Sequence, residues 1–282
     1  MDSKVATAPA RDATVLGMEA TGVVPARAKG AAEWMLRFAV ALQCVGAAWW
    51  FEHGSSALES FALIDLGWDV DAAGWLDRIQ SIALLAGAVV ALARPRRVPL
   101  LAVALLFATE AVFHGLGDER LSHVAPYAAG MRVAAPFALA LLAPSRPQTN
   151  DAPLWVLKVG IAAAFVAHGV EAWLRNPAFI DLVLAFDMRL GGFGFGLHES
   201  DARAILVAIA VHDWILPVAL LATRWRWVPV WMGIWGGAAA LARVVQGGLD
   251  LWPEAVVRAS HGLAPFAVAA LLCAHAGARR RC

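Results

Sequence analysis

The chain has 282 residues, 60% of them hydrophobic and only 16% charged, with 13 Trp. A soluble domain carries nearer a quarter charged residues, so an ordinary water-soluble globule is excluded and a protein crossing the membrane several times is expected. A formal net charge of +1 leaves no basic excess for phosphates, which excludes nucleic acid as a partner.

Residues 1–32 are rich in Ala, with scattered Lys4, Arg11, Arg27 and Lys29 and no continuous apolar core. They read as a mobile cytoplasmic tail and not as a secretory signal. Eight apolar spans follow, at about Glu33–Glu52, Leu76–Ala93, Val98–Gly115, Ser122–Ala143, Pro153–Leu174, Ala202–Ala222, Trp227–Gln246 and Ala255–Ala274. Each is close to the roughly 20 residues a helix needs to cross a bilayer. Pro136 and Pro265 interrupt the fourth and eighth, which membrane helices tolerate when neighbours satisfy the freed carbonyl. The expected fold class is therefore all-α, a polytopic transmembrane bundle of about eight helices. Cys44 and Cys273 lie in apolar runs and, with Cys282, form no CxxC pair, so they read as small buried hydrophobes rather than redox thiols.

The connections alternate in charge. Arg94, Arg96 and Arg97, then Arg146, then Arg224 and Arg226, then Arg279–Arg281 follow the even-numbered spans. The others carry Glu59, Asp65, Asp69, Asp71, Asp118, Glu119, Asp181, Asp187, Glu199, Asp201, Asp250 and Glu254. The positive-inside rule then puts both termini and the Arg-rich turns in the cytoplasm of a bacterial inner-membrane protein.

Sequence fragments recur in order. RRVPL at Arg96–Leu100 matches RWVPV at Arg226–Val230, APF at Ala135–Phe137 matches Ala264–Phe266, and IDL at Ile64–Leu66 matches Ile180–Leu182. WMLRFAVAL in the first span parallels LWVLKVGIAA in the fifth. The pattern predicts a parallel repeat of four plus four spans: a first unit at 33–145, a second at 146–275, and an Arg-rich cytoplasmic tail at 276–282. Both first outer loops are long and partly apolar. In the second, Phe179, Leu182, Val183 and Phe186 fall at helical spacing, which predicts a short interfacial helix, and GGFGFG at Gly191–Gly196 reads as a flexible lid.

Ionisable groups inside spans are costly and are functional candidates by default. On this topology Glu110, His114, His168, Glu171, Arg243 and Gln246 lie in the outer third, His261 just below, and Arg132 and His212–Asp213 nearer the midplane. On the inner side only Arg37 and Lys158 stand out, and both can snorkel. Glu110 and His114 share a face at i, i+4, as His168 and Glu171 do at i, i+3. A carboxylate beside an imidazole fixes its tautomer and suits it to exchange protons, so His168, Glu171, His114 and Glu110 are the catalytic candidates. Arg243, His261, His212 and Arg132 are candidates for binding a small-molecule substrate or cofactor. The alternative is that all of these are interhelical hydrogen-bonding glue. No metal ligand set is assigned; paired histidines, His168 with His212 or His114 with His261, are the options for a b-type haem.

Leu157–Lys158, Ala167–His168–Gly169 and Asn176–Pro177, followed by an apolar outer segment, resemble the pattern of the DoxX-like membrane proteins. Their four-span unit matches each half, over nearly all of residues 33–275. The first half departs from it, with Trp49–Trp50 and Glu52–His53–Gly54 in place of the cleaner motif. The resemblance implies quinone-linked redox chemistry with His168 at the quinone or substrate site. The expected function is thus an integral membrane subunit of a quinone-linked oxidoreductase. It would have a periplasm-facing polar pocket and pass electrons to a redox partner subunit, with the lipid bilayer around it. The chain has no nicotinamide, flavin or iron–sulfur motif of its own, so electrons would come from bound substrate, haem or another subunit. The rival classes are a transporter or solute-binding membrane protein, and a structural or assembly subunit.

Overall fold

The structure, a computed structural model, describes residues 26–118, 120–143, 151–189 and 194–279. These residues form helices and no strand. In chain order they are α1 (Ala26–His53), α2 (Ala57–Ile64), α3 (Val70–Ala93), α4 (Arg97–Leu116), α5 (Ala125–Ala128), α6 (Gly130–Leu142), α7 (Ala152–Trp173), α8 (Pro177–Arg189), α9 (Glu199–Ala222), α10 (Trp227–Gly247), α11 (Trp252–Val257) and α12 (Ala259–Arg279).

Seven helical stretches among the described residues are long and apolar enough to span a membrane: Lys29–Ile64, Val70–Ala93, Arg97–Leu116, Ser122–Leu142, Ala152–Trp173, Glu199–Ala222 and Trp227–Val257. The chain is an integral membrane helical bundle. The eighth span expected from sequence corresponds to α12, whose apolar part, Ala259–Ala274, is shorter than the other seven. The reason is local. The helix breaks at Arg258, so the first turn of the expected span, Ala255–Val257, belongs to α11. A similar break divides the fourth span, where a 3-10 turn at Ser122–Val124 and the four-residue α5, with Pro126 in its first turn, precede α6. Of the expected tail, residues 1–25 lie outside the described residues, and Ala26–Ala32 already form the first turns of α1. Arg146, Arg280, Arg281 and Glu119 also lie outside them.

On the peripheral helices the packing follows the membrane pattern, with many large aliphatic side chains outward and small and polar ones inward. On α3, Ile79, Ile82 and Val89 are each at least 60% exposed, whereas Asp77, Gln80, Ser81 and Gly87 on its other face are buried. The exposed apolar faces are lipid-facing surfaces, since tails rather than water surround them. The core runs through Leu36, Val40 and Cys44 of α1, Met131 and Leu139 of α6, Leu157 and Ile161 of α7, and Val268 and Leu271 of α12. Here α1 packs against α3 and α12, α7 against α9 and α6, α4 against α6, and α10 against α12.

Tight helix contact depends on small residues. A Cβ on Gly160 of α7 would lie 2.3 Å from the Ala134 Cβ and 2.7 Å from the Gly130 carbonyl oxygen of α6. Near this contact, Lys158 of α7 does not simply snorkel, and neither does Arg37 of α1. Arg37 Nη1 donates to the Leu92 carbonyl at the end of α3, and Lys158 Nζ to the Thr223 carbonyl at the end of α9, each at 3.1 Å. A cation on a C-terminal carbonyl satisfies an orphan acceptor and opposes the helix dipole.

Candidate functional site

His168 lies ten residues after Lys158, about 15 Å further along α7 at 1.5 Å per residue. It is therefore well away from the Arg224–Arg226 turn that Lys158 reaches. Beyond it α7 closes in a Schellman arrangement: Arg175 N–H donates to the Ala172 carbonyl and Asn176 N–H to the Glu171 carbonyl. This motif needs a left-handed residue, and Arg175 supplies it with φ of 56°. Asn176 then caps α8, its Oδ1 accepting from Ala178 N–H at 3.1 Å, while Pro177 opens the helix. The same Asn176 donates through Nδ2 to Glu171 Oε1 at 3.5 Å. The predicted helix around Phe179–Phe186 is α8. Its start and the orientation of Glu171 are thus set by one asparagine.

Glu171 Oε2 lies 2.8 Å from His168 Nδ1, and His168 Nε2 lies 3.5 Å from His261 Nε2. One protonation pattern suits both contacts. Nδ1–H of His168 donates to the carboxylate, its Nε2 accepts from His261 Nε2–H, and His261 Nδ1 is then a bare acceptor. His261 Nδ1 indeed has no partner. Gly169 lets α9 close in beside the dyad, since a Cβ there would lie 2.5 Å from Trp214 Nε1. The dyad is only partly covered, with side-chain exposures of 28% for His168 and 18% for Glu171. Phe179 of α8 lies against the His168 ring, and the Arg243 guanidinium sits over Phe179 at 5.8 Å. His168, Glu171 and His261 are thus neighbours, and Arg243 reaches this group through Phe179.

Other expected pairings are not made. Glu110 does not pair with His114: its oxygens accept the backbone N–H groups of Ala57 at 2.9 Å and Leu58 at 3.4 Å at the start of α2. His114 is exposed. The tertiary approach of a helix N-terminus, rich in unsatisfied donors, outcompetes an intrahelical pair. His168 faces His261 and not His212. His212 has both ring nitrogens committed, Nδ1 to Asp213 Oδ1 at 2.9 Å and Nε2 accepting from Trp231 Nε1 at 2.8 Å, so it holds α9 to α10 and offers no nitrogen to a ligand. Arg132 is within electrostatic reach of Glu110 and Arg258, and its Nε has no hydrogen-bond partner.

Sequence reasoning passed over Glu254 and Arg258. Glu254 lies between two cations, 3.2 Å from Arg258 Nη1 and 4.0 Å from Arg243 Nε, and Arg258 has Glu171 among its electrostatic neighbours. Their i, i+4 spacing was the available signal. It passed over α2 as well, although Ser56 and Glu59 form the S-x-x-E pattern of a helix start and Ser56 Oγ accepts from Glu59 N–H at 2.9 Å.

A cavity of about 780 Å³ lies beside the dyad's helix, lined by Trp173, Arg175, Ile180, Asp181, Arg203 and Val207 among others. His168, Glu171 and His261 are not in its lining, so the volume and the polar chemistry are separate features. Among the described residues no three His, Cys, Asp or Glu side chains converge as a metal site.

Gly191, Gly192 and Phe193 of the expected lid lie outside the described residues. The segment after them is anchored to α8, where the Asp187 carboxylate accepts from Leu197 N–H at 2.8 Å and Phe195 N–H at 2.6 Å. These two donors, Leu197 first, hold the Asp187 carboxyl below its usual value. A depressed carboxyl pKa contributes stability that is complete above the ordinary value of about 4 and is lost as pH falls through the folded value. Protection of the Phe195 and Leu197 amides, taken relative to an unstructured peptide at the same pH, should therefore be high at neutral pH and fall in acid. Asp187→Asn should lower it throughout, and protection unchanged in that variant would refute the anchor.

No protein-family profile, curated protein or solved structure matches this chain.

Proposed function

We propose that this protein is the membrane subunit of a quinone-linked oxidoreductase of the DoxX-like kind, in which the His168–Glu171 dyad exchanges protons with a quinol head group. The observation that carries this reading is the His168 imidazole, held between Glu171 and His261 yet partly exposed. Glu171 fixes the Nδ1–H tautomer, and Nε2, which accepts from His261 Nε2–H across a long 3.5 Å contact, becomes the proton-accepting atom when a quinol hydroxyl takes the place of that donor. When Nε2 takes a proton, the resulting imidazolium is stabilised by the carboxylate 2.8 Å away. Arg243 and His261 orient the head-group oxygens, and the electrons pass to a partner subunit.

The same reading includes two fused four-helix units in parallel orientation, both termini cytoplasmic and the dyad on the outer side of a bacterial inner membrane. Its support is the recurrence of elements. Each half runs long helix, short helix, two long helices, short helix, last helix. Arg37 and Lys158 cap the ends of α3 and α9 in the same manner. Arg132 and His261 each stand three residues before the APF tripeptide, and they are electrostatic neighbours.

An organic extract of the purified protein, analysed for quinone, tests the proposal together with an oxidised-minus-reduced visible spectrum. Near-stoichiometric quinone is the expected result. A quinone-free extract and a blank spectrum would overturn it.

A further inference from the structure

A second buried polar cluster lies where α2 meets α3 and α4, and it is not part of the dyad. Ser56, Asp77 and Gln80 are each no more than 4% exposed, and Glu59 is 9% exposed. Asp77 Oδ2 accepts from Ser56 N–H at 2.9 Å, and Gln80 Nε2 reaches Asp77 Oδ1 at 3.4 Å and Ser56 Oγ at 3.3 Å. Glu59 is an electrostatic neighbour of Asp77, and both are tied to Ser56, whose N–H donates to Asp77 and whose Oγ accepts from Glu59 N–H at 2.9 Å. Glu59 Oε1 lies against α3, 3.8 Å from where a Cβ on Gly74 would stand.

The cluster has more acceptors than donors. Glu59 Oε2 and Gln80 Oε1 are buried without any partner, although the Gln80 amide is hydrogen-bonded into the cluster through its nitrogen. No Lys or Arg makes an ion pair with Glu59, Asp77 or Glu110 among the described residues. The neighbouring charges do not repair this. From α4 comes another carboxylate, Glu110, occupied by the α2 N-terminus. From α6 comes Arg132, an electrostatic neighbour of Glu110. From α1 comes the Ala48 carbonyl, taken by the Ser81 hydroxyl.

Two neighbouring carboxylates in a low-dielectric interior repel each other, and a proton held between them relieves that repulsion. A water molecule could donate to the orphan oxygens, but it would not remove the charge. A metal ion would, yet no three acidic or imidazole side chains converge to hold one. A single proton does both: it neutralises one carboxyl and turns it into the donor that the other lacks.

We propose that Glu59 and Asp77 form a proton-binding site, the two carboxyl groups holding one proton between them. The proton comes from solvent and no bond other than O–H is made or broken. The site does not depend on the redox reading of the dyad.

Infrared difference spectroscopy of the purified full chain tests this. At neutral pH the protein should show a carboxylic-acid C=O band that shifts in D₂O. The band should vanish in both Asp77→Asn and Glu59→Gln, and it should persist in Glu110→Gln and Asp213→Asn. Absence of the band in the unsubstituted protein, its survival in both pair variants, or its loss in Asp213→Asn would overturn the proposal. Should the pair variants not fold, carboxyl-¹³C labelling of aspartate and of glutamate in the unsubstituted chain decides. A band shifted by neither label overturns the site, and one shifted by either label and unchanged in Asp213→Asn and Glu110→Gln supports it.

Discussion

Replacing Gly160 by alanine is expected to lower the stability of the bundle by about 1–3 kcal/mol, the usual cost of overpacking. The added Cβ would fall 2.3 Å from the Ala134 Cβ, 2.7 Å from the Gly130 oxygen and 3.2 Å from the Gly130 carbonyl carbon. Two of these three atoms are backbone, so no side-chain rotation relieves the contact, and α6 must move away from α7. Leucine at the same place should do worse. Thermal unfolding in detergent, followed by circular dichroism, measures the effect. Gly237→Ala is the control, because its nearest neighbour would be 3.9 Å away and the helix propensity of alanine then favours the variant. An unchanged unfolding temperature in Gly160→Ala would mean that α6 and α7 do not meet at this point.

The second large effect is on activity. On the proposed chemistry, His168→Ala should lower quinol-dependent turnover by about 10²–10⁴-fold, the range for losing a positioned general base. The fold should survive, since the His168 side chain is partly exposed and leaves Glu171 still hydrogen-bonded to Asn176. Glu171→Gln should cost less, because an amide oxygen can still hold the Nδ1–H tautomer but supplies no charge to the imidazolium. It should also shift the acidic limb of the pH profile, on which a general base is lost to protonation, and a merely structural role would not do so. Steady-state turnover in membranes with a soluble quinol donor checks both. Normal turnover in His168→Ala, with the protein intact, would sink the redox reading.

The spans were legible because bilayer thickness imposes a length on every crossing helix, and α4, α7, α9 and α10 begin and end close to where their apolar runs do. The α12 boundary was less legible because a break at a single residue, Arg258, leaves the apolar pattern uninterrupted. In the site, the His168–Glu171 pair could be read from spacing, since both residues ride one helix. The same rule misled at Glu110 and His114. There a partner from α2 arrived from outside the helix and took the carboxylate.

Composition and periodicity alone therefore determined that this is a helical membrane protein, where most of its long apolar helices lie, and which polar pair shares one helix face. Those features depend on the solvent and on residues within one or two turns. Only the tertiary structure decided that His261, 93 residues away, completes the environment of His168. The same holds for His212, which is spent on Trp231, and for Ser56, which ties Glu59 to Asp77. Such pairings belong to contacts between helices, and no local pattern specifies which donor reaches a buried acceptor first.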